Sequence, residues 1–374
     1  MLSDSVRLIS VDDHLIEPPH LWSSRLPKRY IDEGPRVVRD GGIDLWEYAG
    51  RRYETTGTLA AAGRDVSEFT HEAISFDDMR PGCYEPQARL ADMDRANIWG
   101  SLSFPTFGRF AGHRFLEGSD RELARLCVSA YNDFVMDEWC ATAPDRLIPL
   151  IIVPMWDVAE CVKEVKRMAA RGAKAVALSE NPTLLGLPSI HSRAWDAMFA
   201  AIADADLTIC MHVGSSGQLI SSSPDAPYGV HTSLVGLGSM IACSDFIFSH
   251  LFHELPSLRV ALSEGGAGWV PYLVERMDAC WETHRHHSGM QGKVSPRELF
   301  ASNIWVCVIN DAFAIEQRYT IGVDRMMWEC DYPHADSLWP NSRGSLAKSM
   351  VDVPDHEAAA IGEGNARHVF RMFD

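Results

Sequence analysis

The chain has 374 residues, 46% of them hydrophobic and 23% charged, which suits a globular protein with a large core. A formal net charge of -17 argues against nucleic acid or an anionic membrane as a partner, because both are polyanions. The nine cysteines are odd in number, scattered and never in a C-x-x-C pair, so reduced thiols are expected rather than a disulfide frame.

The opening MLSDSVRLISVDDH has no charged-then-apolar leader pattern, and no apolar run approaches the roughly 20 residues that span a bilayer. A cytoplasmic enzyme acting on a small molecule is the expectation. The first predicted strand covers 6–12. A polar, Gly- and Pro-rich segment follows from Glu17 to about Pro86, and within it GPRVVRDGGIDLWEYAGRRYETTG reads as a β-hairpin. Such an insertion, about 20–86, would sit as a lid or substrate-shaping element over the first strand's end.

From there short apolar runs alternate with helical periodicity, the pattern of parallel βα units. Strands are predicted at 99–104, 147–153, 173–178, 207–212, 258–264, 304–308 and 325–331. Helices are predicted at 119–142, 157–171, 192–205 and 233–255, and a Ser295-Pro296-Arg297-Glu298 capping box opens another. The stretch 355–373 reads as two short helices. Eight strands with helices between most of them give a single (β/α)₈ TIM barrel, the insertion following strand one.

Four side chains stand at the ends of these runs: Asp12 and His14, His212, and Asp331. Active-site groups of such barrels gather at the C-terminal ends of the strands, on one rim. Alternation along a strand puts Asp12 and His14 on one face and Asp13 on the other. Two imidazoles and two carboxylates suit one divalent ion, Zn²⁺ first and Mn²⁺ as the alternative. Each residue alone is a weak signal; the set gains weight because all four fall on one rim.

At these residues the chain resembles the metal-dependent "amidohydrolase family 2". The segments ISVDDHLIEPPHLW, HVGSSG, PSLRVALSEGGAGWVPYLVERMD and MMWECDYPHADSLWP carry the likeness over nearly the whole length. That group includes aminocarboxymuconate semialdehyde decarboxylase, gamma-resorcylate decarboxylase and related hydrolases of ring-cleavage products. The resemblance implies that Asp12 and His14 stand where other members have His-x-His or Glu-x-His, and that His212 is a ligand. It further implies that Asp331 both touches the metal and handles a proton, and that the protein is a homodimer or higher homo-oligomer. Many relatives read His-Gly-Gly after the sixth strand, whereas here Glu264-Gly265-Gly266 stands in that place. Glu264 could be a general base, a general acid or an orienter of substrate.

Metal-activated water attacking a small carboxylated or phenolic compound is the preferred reading, tipped by Glu264. Non-oxidative decarboxylation of an aromatic or muconate-type acid is the alternative, and a barrel that binds without catalysis is the third. Asp331, Glu264 and His334 are the expected catalytic groups, with Arg64, Arg109, Trp22 and Trp339 as candidates for substrate binding. Asp311 either reaches the site or caps a helix. His250, His253 and the His284–His287 cluster are expected to lie outside it.

Overall fold

A computed structural model of the chain describes residues 2–290 and 292–372. Its first strand, β1 (Leu8–Leu15), is buried along its whole length. The chain then leaves the barrel for a three-stranded antiparallel meander, β2 (Arg36–Asp40), β3 (Ile43–Tyr48) and β4 (Arg51–Glu54). The predicted hairpin therefore gains a third strand, because Ala49 and Gly50, both at positive φ, turn the chain back a second time.

The barrel resumes with β5 (Ile98–Pro105) and continues through β6 (Leu147–Ile148) and β7 (Leu150–Ile152). It is completed by β8 (Ala175–Ala177), β9 (Thr208–His212), β10 (Arg259–Ser263), β11 (Ile304–Val308) and β12 (Met326–Trp328). All pair in parallel, β1 with β5, β5 with β6, and β7 through β12 in sequence order. β6 and β7 are one stave interrupted at Pro149, which has no N–H to donate. The Pro149 carbonyl still accepts from Lys174 and Ala175, at 3.0 and 3.2 Å. The ring closes where Asp331 N–H donates to Asp12 O at 2.8 Å and His14 N–H to Tyr332 O at 2.6 Å. Eight staves thus form a (β/α)₈ barrel.

The hydrophobic core runs from Leu2 to Met372, so both ends of the described chain pack into it. Residues 355–369 form one continuous helical run with a central π turn, where two short helices were expected. It seals the barrel floor: Asn365 Nδ2 donates to Val323 O and Met326 O, and Thr208 Oγ1 donates to Val369 O. Helix Val270–His284 was not anticipated from the sequence. Tyr228–Phe248 reaches the length and apolarity of a membrane span, against expectation. It is broken between helices Tyr228–Ser233 and Gly236–Phe248, and the second packs through Ala242, Cys243, Phe246 and Ile247. The nine cysteines are free thiols.

Candidate metal centre

The three residues that end β1 divide their work as strand alternation dictates. Asp12 and His14 point into the barrel mouth. Asp13 turns the other way, accepting from Ser10 Oγ at 2.9 Å, from Tyr332 N–H at 3.0 Å and from Ser101 Oγ. Burial pushes the Asp13 carboxyl up to about 6, against the pull of Arg89 and of these donors. Asp13 thereby laces β1 to β5 and to the segment after β12, which holds the segments bearing Asp12, His14 and Asp331 in register. Arg89 adds to this from below, donating to Gly82 O at 2.8 Å, to Ser103 Oγ at 3.2 Å and to His14 O.

His212 ends β9, and its Nδ1 donates to Val213 O at 2.6 Å, which leaves the Nε2 lone pair facing inward. That nitrogen lies 3.2 Å from His14 Nε2, 3.5 Å from Asp12 Oδ2 and 3.2 Å from Glu264 Oε2. His14 Nε2 lies 3.5 Å from Asp12 Oδ1 and 3.1 Å from Asp331 Oδ1. One donor atom from each of Asp12, His14, His212 and Asp331 falls within 4.8 Å of the others.

Both oxygens of Asp12 and both of Asp331 are buried without a hydrogen bond of acceptable geometry, although nitrogens crowd Asp331 Oδ1. A buried carboxylate left this way costs several kcal/mol unless a charge compensates it. Burial works against charge on the imidazoles, pushing His212 down to about 4 and His14 well below its ordinary value. Burial, then repulsion from Glu329, Asp331 and Glu264, drives the Asp12 carboxyl well up. Burial followed by Asp331 and Glu329 does the same to Glu264. At Asp331 burial also pushes upward, but His334 and His14 beside it win and hold it low. Two imidazole nitrogens and two carboxylates buried without hydrogen bonds are a donor set that could hold a divalent cation.

Asp331 and Glu264 both adopt left-handed backbone, at φ 57° and 58°, which non-glycine residues rarely accept. Such strain persists where surrounding bonds over-determine it. Asp331 is held by its bond to Asp12 O, and Glu264 by a 3.2 Å bond from its N–H to Glu329 Oε2. The glycines after Glu264 serve close approach: a Cβ on Gly265 would stand 2.1 Å from Ser239 Oγ. Asp311 pins the same turn, accepting from Ala267 and Gly268 N–H at 2.9 and 3.0 Å while capping its own helix through Ala314.

Over the cluster opens a cavity of about 320 Å³, lined among others by Arg109, Phe110, Tyr228, Glu264, His334 and Asp336. Thr58 and Leu59 of the insertion also line it, and Ala335 N–H donates to Thr58 O at 2.9 Å. A larger groove of about 680 Å³, between the meander and Gly118–Leu123, contains none of the clustered residues. Phe110 packs its ring 4.0 Å from that of His212.

Of the residues expected to bind substrate, only Arg109 reaches the cavity. Arg64 donates to Asp78 O at 2.6 Å within the insertion and does not line it. Trp22 is fully buried among Trp46, Phe107 and Phe115, its Nε1 donating to Cys127 O at 3.0 Å. Trp339 packs beside Tyr332 and Arg80, with Nε1 donating to Asp92 O at 2.9 Å. These indoles begin at the rim but turn into the wall, where burying their large apolar area is worth more. His250 bonds Asp196 at 2.8 Å, away from the cluster. Glu329, whose carboxyl burial raises to about 8, was missed. Its position two before Asp331 on one strand face was the available signal.

The family model described as "Amidohydrolase" matches residues 20–372. A 2-amino-3-carboxymuconate-6-semialdehyde decarboxylase from Caenorhabditis elegans is 23% identical over 306 residues, 68% of this chain and 73% of that protein. The fold is similar to that of an amidohydrolase from Mycobacterium avium subsp. paratuberculosis K-10, with TM-score 0.77 and 23% identity over 98% of this chain and 99% of the other. It is also similar to a 5-carboxyvanillate decarboxylase from Novosphingobium aromaticivorans, whose structure contains manganese and 4-hydroxy-3-methoxy-5-nitrobenzoic acid. There the TM-score is 0.68 and the identity 18%, over 99% of this chain and 97% of that one.

Proposed function

The chain belongs to the amidohydrolase family, and from that premise we propose that it is a metal-dependent, non-oxidative decarboxylase of a small aromatic or muconate-type acid. The observation that carries this reading is the buried cluster of two imidazoles and two orphaned carboxylates under a cavity whose wall holds, among the described residues, a single arginine. Two of the three relatives described above are named as decarboxylases, which supports it over the hydrolysis expected from the sequence. That expectation rested on Glu264, whose buried carboxyl is equally suited to keep and donate a proton.

Asp12, His14, His212 and Asp331 would hold the ion. When bound, it supplies a Lewis acid that grips a substrate carboxylate and a neighbouring oxygen and stabilises negative charge there. The donor set accommodates Zn²⁺ and Mn²⁺ alike, and the manganese of the Novosphingobium relative supports the second. Arg109 would anchor an anionic or hydroxyl substituent, while Phe110 and Leu219 cover the ring's apolar faces.

Asp331, beside His14 and His334 at the mouth of the cavity, would take the proton that enters with the substrate. It returns that proton to the ring carbon bearing the carboxylate. The bond to the carboxylate then breaks, its electron pair restores the ring and CO₂ leaves. A cytoplasmic homo-oligomer with no nucleic-acid or membrane partner completes the proposal.

Incubation of metal-loaded protein with hydroxylated benzoates and carboxymuconate semialdehydes in D₂O tests it. Release of CO₂ with one deuterium at the vacated carbon is the expected result. Turnover that incorporates solvent ¹⁸O without releasing CO₂ would establish hydrolysis instead.

A further inference from the structure

The cavity has two jaws that differ in how they are held. One is the insertion, whose Thr58 and Leu59 line it. The sequence casts the insertion as a lid, but it is tied to the barrel. Ala62 N–H donates to Pro333 O at 3.0 Å, Ala335 N–H donates to Thr58 O at 2.9 Å, and Arg80 pairs with Asp92 at 2.6 Å. It is the fixed jaw.

The other jaw is residues 217–237, with Leu219, Tyr228, Thr232 and Val235 among those facing the cavity. No residue of this stretch is buried. Among the described residues, the hydrogen bonds of 218–233 stay within the stretch. Ser221 Oγ and Ala226 N–H both donate to Ser223 O, Val230 N–H donates to Pro227 O, and the rest belong to helix Tyr228–Ser233 and the turn after it. A segment with neither buried side chains nor bonds to the rest of the fold opens at little cost.

Its roots, by contrast, are fixed. Glu180, 7% exposed, accepts from Gly214 N–H at 2.7 Å and from Ser216 Oγ at 3.0 Å, and its own N–H donates to Ser215 Oγ at 2.9 Å. At the far root Gly238 packs so closely that a Cβ there would stand 2.2 Å from Glu180 Oε2. One carboxylate thus gathers both ends into a neck, and Gly214 and Gly217, at φ 77° and 90°, stand where the chain leaves it. At the tip, Tyr228 and Leu219 are 62% and 41% exposed although both border the cavity. The Tyr228 ring meets His71 of the insertion edge-on, with centroids 4.9 Å apart.

We propose that residues 217–237 are a lid, hinged on the neck that Glu180 holds, which carries Leu219 and Tyr228 over a bound substrate and shuts against His71. Closure buries apolar area that now faces water and expels water from above Asp12, His14, His212 and Asp331. The inference rests on the cavity admitting the substrate, and not on which reaction follows.

Hydrogen exchange of the full-length protein and a reversible cross-link test it. The amides of 218–227 should exchange at least about 100-fold faster than those of Gly57, Thr58 and Ala62, which are bonded in the fixed jaw. In the double variant His71→Cys/Tyr228→Cys, a short bis-methanethiosulfonate should join the two jaws. That link should slow the removal of bound Mn²⁺ by EDTA about tenfold or more, and reduction should restore the rate. Each single variant, treated alike, should lose Mn²⁺ at the unlinked rate. Equal exchange in the two jaws, failure of the pair to cross-link, or a removal rate indifferent to the link would each overturn the lid. Protein that binds no Mn²⁺ would sink the metal centre instead, and exchange and cross-linking then decide the lid without it.

Discussion

The carboxylate of Glu17 accepts the backbone N–H of Gly108 at 3.0 Å, and that of Phe107 on its other oxygen at 2.7 Å. Three residues beyond His14, Glu17 pegs the turn that presents Arg109 and Phe110 to the cavity. Burial raises its carboxyl to about 7, against those N–H donors. The folded state therefore keeps a proton that the unfolded chain loses near 4.5. Glu17's contribution to stability is greatest below that value and declines as pH rises from it through about 7, by on the order of 3 kcal/mol. Glu17→Gln should flatten this decline in a plot of Tm against pH. A variant curve parallel to wild type from pH 5 to pH 7 would refute the assignment.

Metal should stabilise the fold measurably, because the cage is assembled only in the native state. At about 100 times Kd, a cation adds roughly 2.7 kcal/mol. Thermal unfolding should show a clear upward shift with Mn²⁺ or Zn²⁺, reversed by chelator. In His212→Asn the shift should largely vanish, and elemental analysis should find the protein substantially depleted.

Arg109 is the one arginine or lysine in the cavity wall among the described residues. If it anchors a substrate substituent, Arg109→Ala should raise KM by about 10- to 100-fold with kcat little changed, as loss of uniform binding does. Lysine there should recover only part of the loss, since it lacks the planar fork. Steady-state kinetics decide; an unchanged KM would remove Arg109 from substrate recognition.

Asp331→Asn keeps the shape of the side chain but cannot carry the proton. A fall in kcat of about 10²- to 10⁴-fold is expected, with some metal retained. Single-turnover measurements on the metal-loaded variant separate this from loss of the ion. Full activity would exclude Asp331 as the proton carrier.

Trp22 is a core residue, so Trp22→Ala should destabilise the protein by about 3–5 kcal/mol in denaturant titrations. The folded fraction should retain its KM. A rise in KM without loss of stability would return Trp22 to the substrate site.

Asp12, His14, His212 and Asp331 were legible because strands alternate with period two and short apolar runs end where a barrel's rim begins. That information is local: it lies within a handful of residues on either side of each of the four. The directions of Arg64, Trp22 and Trp339 were not local in this sense. Each begins near the rim in sequence, and each is drawn off by a partner far along the chain or by the aromatic core. Glu329 lay between these cases, on a readable strand face but without a visible partner.

From the order of its residues alone, this chain specifies an eight-strand parallel barrel and the four side chains that converge at its mouth, since backbone alternation and burial of apolar runs act over short distances. Only folding in three dimensions settles which of the remaining rim residues face the cavity, which carboxyls are forced together, and how Glu17 and Asp13 brace the loops. Those outcomes depend on contacts between segments up to three hundred residues apart, where competing burial and hydrogen bonds, invisible in any local window, choose the direction of each side chain.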